Sequence, residues 1–189
     1  MGVSPSFAPP PRPVAPRPHP REDARLAALH ALEILDTAND ARFDRLTELA
    51  ADLFGVESAL VSLLDADRVW AKSTCNHAHT EIAREISFCG HAILEAKLLV
   101  VEDTRADPRF AANPQVLQPP FVRFYAGAVL CDAHGLPLGT LCLLDPTPRA
   151  FDRDARRRLI RLAAVVEQEI AHHTDVMTLR RLLEHTTRS

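Results

Sequence analysis

The stretch from Phe121 to Asp145, FVRFYAGAVLCDAHGLPLGTLCLLD, decides the fold of this chain. Phe121 to Cys131 and Leu138 to Asp145 are apolar runs of strand length, and Asp132-Ala133-His134-Gly135 lies between them as a turn. Two such runs across a short polar turn predict an antiparallel hairpin. Gly127 and Gly139 interrupt the runs, and a glycine inside a strand marks a bulge or a close backbone approach. Alternation puts Arg123 and Tyr125 on one face and Phe124 on the other.

Further strands flank this hairpin. Ser58 to Asp65 reads as a buried strand, Asp65-Ala66-Asp67 as a turn, and Arg68 to Ser73 as a returning strand, with another at Leu98 to Glu102. Helical spacing recurs at Leu26, Leu29, Leu32 and Ile34/Leu35, then at Phe43, Leu46, Leu49, Ala50 and Leu53. Gly55 stands where a C-terminal cap belongs. Ser87 can cap a short helix running to Ala96, because its hydroxyl accepts amides of the first turn. The last helix starts near Asp152 behind a Phe151 staple. Its stripe runs through Leu159, Leu162, Ala163, Val166 and Ile170, and continues or restarts through Met177, Leu179, Leu182 and Leu183. Thr74 to Glu85 reads as polar and irregular, and Asp103 to Pro120 as a long loop. Hairpin-joined strands with helices at both ends predict an α+β fold. Its terminal helices lie on one face of an antiparallel sheet, with loops and a short helix on the other.

Composition bounds the function. A chain of 189 residues with 47% hydrophobic side chains fits one domain plus tails. Residues 1–20 hold eight prolines, which predicts a disordered or polyproline-II leader. Within it, Pro9-Pro10-Pro11-Arg12-Pro13 could dock a partner, but a loose leader is the reading favoured by composition. The domain proper is expected over 21–173, with a helical extension over 174–189. A formal net charge of −3 argues against a nucleic-acid partner. No run of about 18 apolar residues suggests a membrane span, and no apolar core of a signal peptide precedes Pro20. A cytoplasmic location is therefore expected, with Cys75, Cys89, Cys131 and Cys142 as thiols. Phosphate-loop, nucleophile-elbow and zinc-protease patterns are absent.

Three segments, Ser87-Phe88-Cys89-Gly90-His91-Ala92-Ile93, Arg123-Phe124-Tyr125-Ala126-Gly127-Ala128 and Leu138-Gly139-Thr140-Leu141-Cys142-Leu143-Leu144-Asp145, together resemble the bacterial GAF-domain family. The resemblance is to the version found upstream of diguanylate cyclases and histidine kinases, and it spans Arg21 to Ile170. It implies the same α+β architecture, a pocket between the sheet and the loop-helix side, and a homodimer through the terminal helices. It also implies a non-catalytic sensory role without fixing the ligand: a nucleotide or other small metabolite if the Arg123 and Tyr125 face lines the pocket, an apolar pocket if the Phe124 face does. About 16 residues follow the core helix. That is too few for an effector domain, so the expectation is either a histidine kinase or cyclase partner in trans or a chain that is a fragment of a longer protein.

The candidate pocket residues are Trp70, Phe88, Cys89, His91, Arg105, Arg123 and Tyr125. Arg123 and Tyr125 offer a cation and an aromatic hydroxyl if their face lines the pocket. Arg105 and Arg109 could hold an anion, but Asp103 and Asp107 beside them favour internal pairing. A second reading is a redox or metal sensor. Cys89 near a helix N-terminus can have a lowered pKa, and Cys75, His77 and His79 are ligand types suited to zinc or haem iron if their segment is extended. A bilin is disfavoured because Gly90 separates Cys89 from His91. A third reading follows from a likeness to free methionine-R-sulfoxide reductases. That family's catalytic cysteine falls after the following strand, and Asp103 to Pro120 contains none.

Overall fold

The computed structural model describes the backbone of residues 13–186. Residues 9–12 of the Pro9-Pro10-Pro11-Arg12-Pro13 segment, and the side chains of Met177 and Leu182, lie outside the described residues. The elements are α1 (Glu22–Ala31), α2 (Ala41–Phe54), β1 (Ser58–Leu64), β2 (Arg68–Cys75), β3 (Glu81–Ala83), α3 (Phe88–Ala92), β4 (Leu98–Val101), α4 (Pro114–Leu117), β5 (Phe124–Cys131), β6 (Pro137–Asp145) and α5 (Arg153–Thr186).

The strands form one six-stranded sheet in the order β3-β2-β1-β6-β5-β4, and every neighbouring pair is antiparallel. The expected hairpin is β5–β6, with Gly127 opposite Cys142 and Ala128 opposite Leu141. Because side chains alternate, each central strand serves two cores. Val61, Leu63, Phe124, Ala126, Leu141 and Leu143 pack against α1, α2 and α5. Leu60, Leu64, Tyr125, Cys142 and Leu144 pack against α3 and the loop holding Phe110 and Val116. The β1 and β6 backbones approach so closely at Gly139 that a β-carbon there would overlap the Ser62 carbonyl, beside a register shift at Val61/Ser62.

Several expectations need correction. Thr74 to Glu85 is not wholly irregular, because β2 extends to Cys75 and β3 pairs Glu81–Ala83 with Arg68–Trp70. A three-residue edge strand is too short to show a period. Helix α3 ends at Ala92 rather than Ala96, capped at its start by Ser87 as expected. The long loop contains α4, capped by Asn113, whose side chain accepts from Gln115 N and donates to the Ile86 carbonyl. β5 begins at Phe124, since Phe121 has φ +54° and leaves the extended region. Helix α5 continues without a restart, so its 34 residues span about 51 Å.

The proline-rich leader was expected to be disordered or polyproline-II through Pro20. Its described part, 13–20, lies along the domain: the Val14 carbonyl sits 2.9 Å from His91 Nε2, and the Pro16 ring fills the space that a side chain at Gly90 would need. A polyproline-type segment needs no ladder partner, so a flat helix start suffices to seat it. At the α1 end, Arg25 is fully buried and donates to the Leu64 carbonyl at 2.6 Å and to Glu22 at 2.6 Å. Among the described residues no helix is long and apolar enough to cross a membrane.

Candidate functional site

A pocket opens between the sheet and the α3 side, where the loop-helix cover was expected. Its floor is the sheet face formed by Leu60, Ser62, Val69, Ala71, Tyr125, Cys142 and Leu144. Phe88 and Cys89 close it from α3, Ile82 from β3 and Gln115 from α4, while His77, His79 and Glu81 stand at its rim. The cavity is about 30 Å³, room for roughly two water molecules.

The floor is organised around aromatic and thiol contacts. The Phe88 ring stacks on Tyr125 with centroids 5.0 Å apart and meets Phe110 at 4.6 Å. Tyr125 lies flat over Gly127, so that a β-carbon at Gly127 would fall into the phenol. The Tyr125 hydroxyl donates to Cys89 Sγ at 3.6 Å, and Thr140 Oγ1 donates to the same sulfur at 3.2 Å. Ser62 Oγ lies 3.8 Å from Cys142 Sγ. All five groups are buried. Hydrogen bonding with the Cys142 thiol, together with the Thr140, Tyr125 and Ser62 hydroxyls, lowers the Cys89 pKa against the effect of burial. The Cys142 thiol is pushed up by its bond to Cys89, by burial and by the neighbouring sulfur charge. Burial and the two thiols raise the Tyr125 phenol.

Of the seven expected pocket residues, the fold brings three together: Phe88, Cys89 and Tyr125. Trp70 faces the opposite layer and packs with the helix-side core near Lys72. Arg123 precedes β5 and pairs with Asp103 at 2.9 Å, while Asp107 pairs with Arg109 at 2.6 Å. Arg105 is exposed and lines none of this cavity. His91 points out of α3 toward Val14 and the Phe110 ring. The cluster of Cys75, His77 and His79 does not converge. Cys75 packs against the helix-side core, while His77 and His79 stand at the pocket rim. Among the described residues no group of three or more His, Cys, Asp or Glu side chains is placed to hold a metal ion.

The sequence reading missed Ser62, Thr140 and Cys142. The signal was present in the alternation of β6, which puts Thr140, Cys142 and Leu144 on one face and Leu141 and Leu143 on the other.

Comparisons with known proteins agree with this fold. A GAF-domain profile matches residues 39–170. A cyclic di-GMP phosphodiesterase of Pseudomonas aeruginosa is 38% identical over 133 residues, covering 70% of this chain. The chain spans only 23% of that relative's length. Among solved structures, the GAF domain of an Acinetobacter phosphoenolpyruvate-protein phosphotransferase superposes with a TM-score of 0.61 at 18% identity, covering 82% of this chain and 98% of that one. A free methionine-R-sulfoxide reductase of Neisseria meningitidis, solved with its substrate, gives 0.60 at 20% identity, covering 86% and 99%. At such identities these structures speak to the fold alone.

Proposed function

Because the chain belongs to the GAF-domain family, we propose that it is a sensory module and not an enzyme, taking a small molecule into the pocket over Tyr125 and passing the event to α5. One observation carries this reading: β5 and β6 are single strands with the pocket on one face and the signalling helix on the other. Tyr125 and Cys142 face the pocket, while Phe124, Ala126, Leu141 and Leu143 pack in the core that holds Leu162, Val166 and Ile170 of α5. A shift of the floor therefore reaches α5 through one layer of backbone.

The lining favours a small, largely apolar ligand with one or two polar atoms. Among the described residues it contains no Arg or Lys to receive a phosphate, so it does not favour a nucleotide. Ser62, Gln115, His77 and Glu81 supply hydrogen bonds. A larger ligand would have to lift the segment that carries His77 to Ile82.

The outputs follow from α5. Leu179 and Leu183 lie exposed on its extension, at the four-residue spacing of a helix-pairing stripe. We assign this stripe to a homodimer or to a signalling partner in trans. The likeness to a cyclic di-GMP phosphodiesterase supports a partner in cyclic di-GMP turnover, with a histidine kinase as the other candidate. The test is native mass spectrometry of the purified chain against its denatured mass. A released small molecule supports the reading, and a bare monomer that binds neither ligand nor partner sinks it.

A further inference from the structure

Two buried thiols, Cys89 and Cys142, line the same pocket, and ligand binding gives them no task. Cys89 from α3 and Cys142 from β6 share one hydrogen-bonded cluster with Ser62, Tyr125 and Thr140. The cluster is asymmetric. Two hydroxyls, Thr140 at 3.2 Å and Tyr125 at 3.6 Å, donate to Cys89 Sγ, whereas Cys142 Sγ has Ser62 Oγ at 3.8 Å. Donors aimed at a sulfur favour its thiolate, which is the nucleophile of thiol chemistry. Cys89 is thus built as the attacking sulfur and Cys142 as its protonated neighbour.

Both sulfur-bearing residues line the cavity of about 30 Å³. A space for roughly two waters admits an oxidant of that size and excludes a bulky one. The other two cysteines are placed differently. Cys75 and Cys131 are half-buried on the helix side, where burial and nearby carboxylates push both thiols up, Glu48 and Asp52 for Cys75, Glu167 and Asp132 for Cys131.

We propose that Cys89 and Cys142 form a dithiol site that hydrogen peroxide, or a comparably small hydroperoxide, oxidises to a disulfide. The Cys89 sulfur attacks one peroxide oxygen. The S–O bond forms, the O–O bond breaks, and the released hydroxide takes the proton lost by the Cys89 thiol and leaves as water. Cys89 is now a sulfenic acid and the peroxide is reduced. The Cys142 sulfur then attacks Cys89 Sγ. The S–S bond forms, the S–O bond breaks, and the departing hydroxide leaves as water with the Cys142 proton. Two thiols and one peroxide become one disulfide and two waters. A dithiol reductant reverses the cross-link by thiol–disulfide exchange. The bond ties α3 to the centre of the sheet. This chemistry goes beyond the ligand reading and does not rest on it.

The test treats the full chain with one equivalent of hydrogen peroxide, then alkylates under denaturing conditions and maps the peptides by mass. The expected result is loss of two of the four thiols, with a cross-linked Cys89–Cys142 peptide pair about 2 Da lighter than its reduced parts. Cys142→Ser stops at the first step, and dimedone labels Cys89. tert-Butyl hydroperoxide reacts at least about ten-fold more slowly, since access limits such exchange. A Cys75→Ser/Cys131→Ser variant leaves the pair intact and must give the same disulfide, which keeps the test open if a Cys89 or Cys142 variant does not fold. Alkylation of both Cys89 and Cys142 after peroxide has consumed Cys75 or Cys131 overturns the proposal. So does full recovery of all four thiols under conditions that oxidise free glutathione.

Discussion

Thr140 Oγ1 lies 3.2 Å from Cys89 Sγ, joining the middle of β6 to the first turn of α3. Thr140 is fully buried, and the next residue, Leu141, packs in the core that contains α5. One step along β6 thus leads from the thiol cluster to the core that holds α5. The link is polar on the pocket side and apolar on the other, which gives each side a separate handle.

Thr140→Val keeps the shape and removes the hydroxyl donor to Cys89. The Cys89 pKa is lowered in the folded protein by its hydrogen-bond donors, so losing one raises it. The expected outcome is a shift of the pH profile for Cys89 alkylation toward higher pH. The stability cost should be about 1 kcal/mol. An unchanged profile would mean that Thr140 does not tune the thiol.

Gly127→Ala should destabilise the domain by about 1–3 kcal/mol, the usual cost of overpacking, because the new methyl enters the Tyr125 phenol. Tyr125→Phe removes the nearest atom, the hydroxyl oxygen. The two substitutions together should therefore cost less than the sum of the singles, read from urea unfolding as a non-additive cycle. Strict additivity would show that Tyr125 has moved elsewhere.

Acid should loosen the α1 end of the domain. Burial pushes the Glu22 carboxyl up, but its hydrogen bonds to Arg84 and Arg25 outweigh that and hold it well below its ordinary value of 4.5. A carboxylate depressed on folding contributes fully above about pH 4.5 and loses that contribution as the pH falls through and below it. Urea midpoints should decline from pH 5 toward pH 3, and Glu22→Gln should be less stable at pH 7 with a shallower decline. Parallel pH profiles for the two proteins would contradict this.

The leucine pair on α5 offers a clean separation of fold from assembly. Leu179 and Leu183 are exposed, so Leu179→Glu/Leu183→Glu should leave the unfolding free energy of the isolated domain within about 0.5 kcal/mol of unchanged. Sedimentation should show loss of the dimer. A monomeric wild-type chain would remove that role from the stripe.

Much of the fold was legible because its signals are local. The hairpin, the Gly55 and Ser87 caps and the stripe of α5 each sit within one element. β3 was not, since its three residues gain strand character only from pairing with β2. The site was legible in part. Phe88, Cys89 and Tyr125 meet in the pocket, but Arg123 turns to Asp103 because β5 begins at Phe124, three residues later than expected, and frees it from the strand's alternation. Trp70 was misplaced by one face, a question that pattern cannot decide on a strand buried on both sides. The alternation of β6 put Cys142 on one face with Thr140, but that this face is the pocket face follows only from the pairing of β6 with β1, where Cys142 lies opposite Leu60.

Amide hydrogen exchange of an Ala71→Leu variant tests the central claim most directly. Ala71 lines the pocket from β2, so the larger side chain imitates an occupant without requiring that the ligand be known. The account predicts altered protection in α5 peptides covering Leu159 to Val176, on the far face of the sheet. Changes confined to α3 and the His77 to Ile82 segment would contradict it.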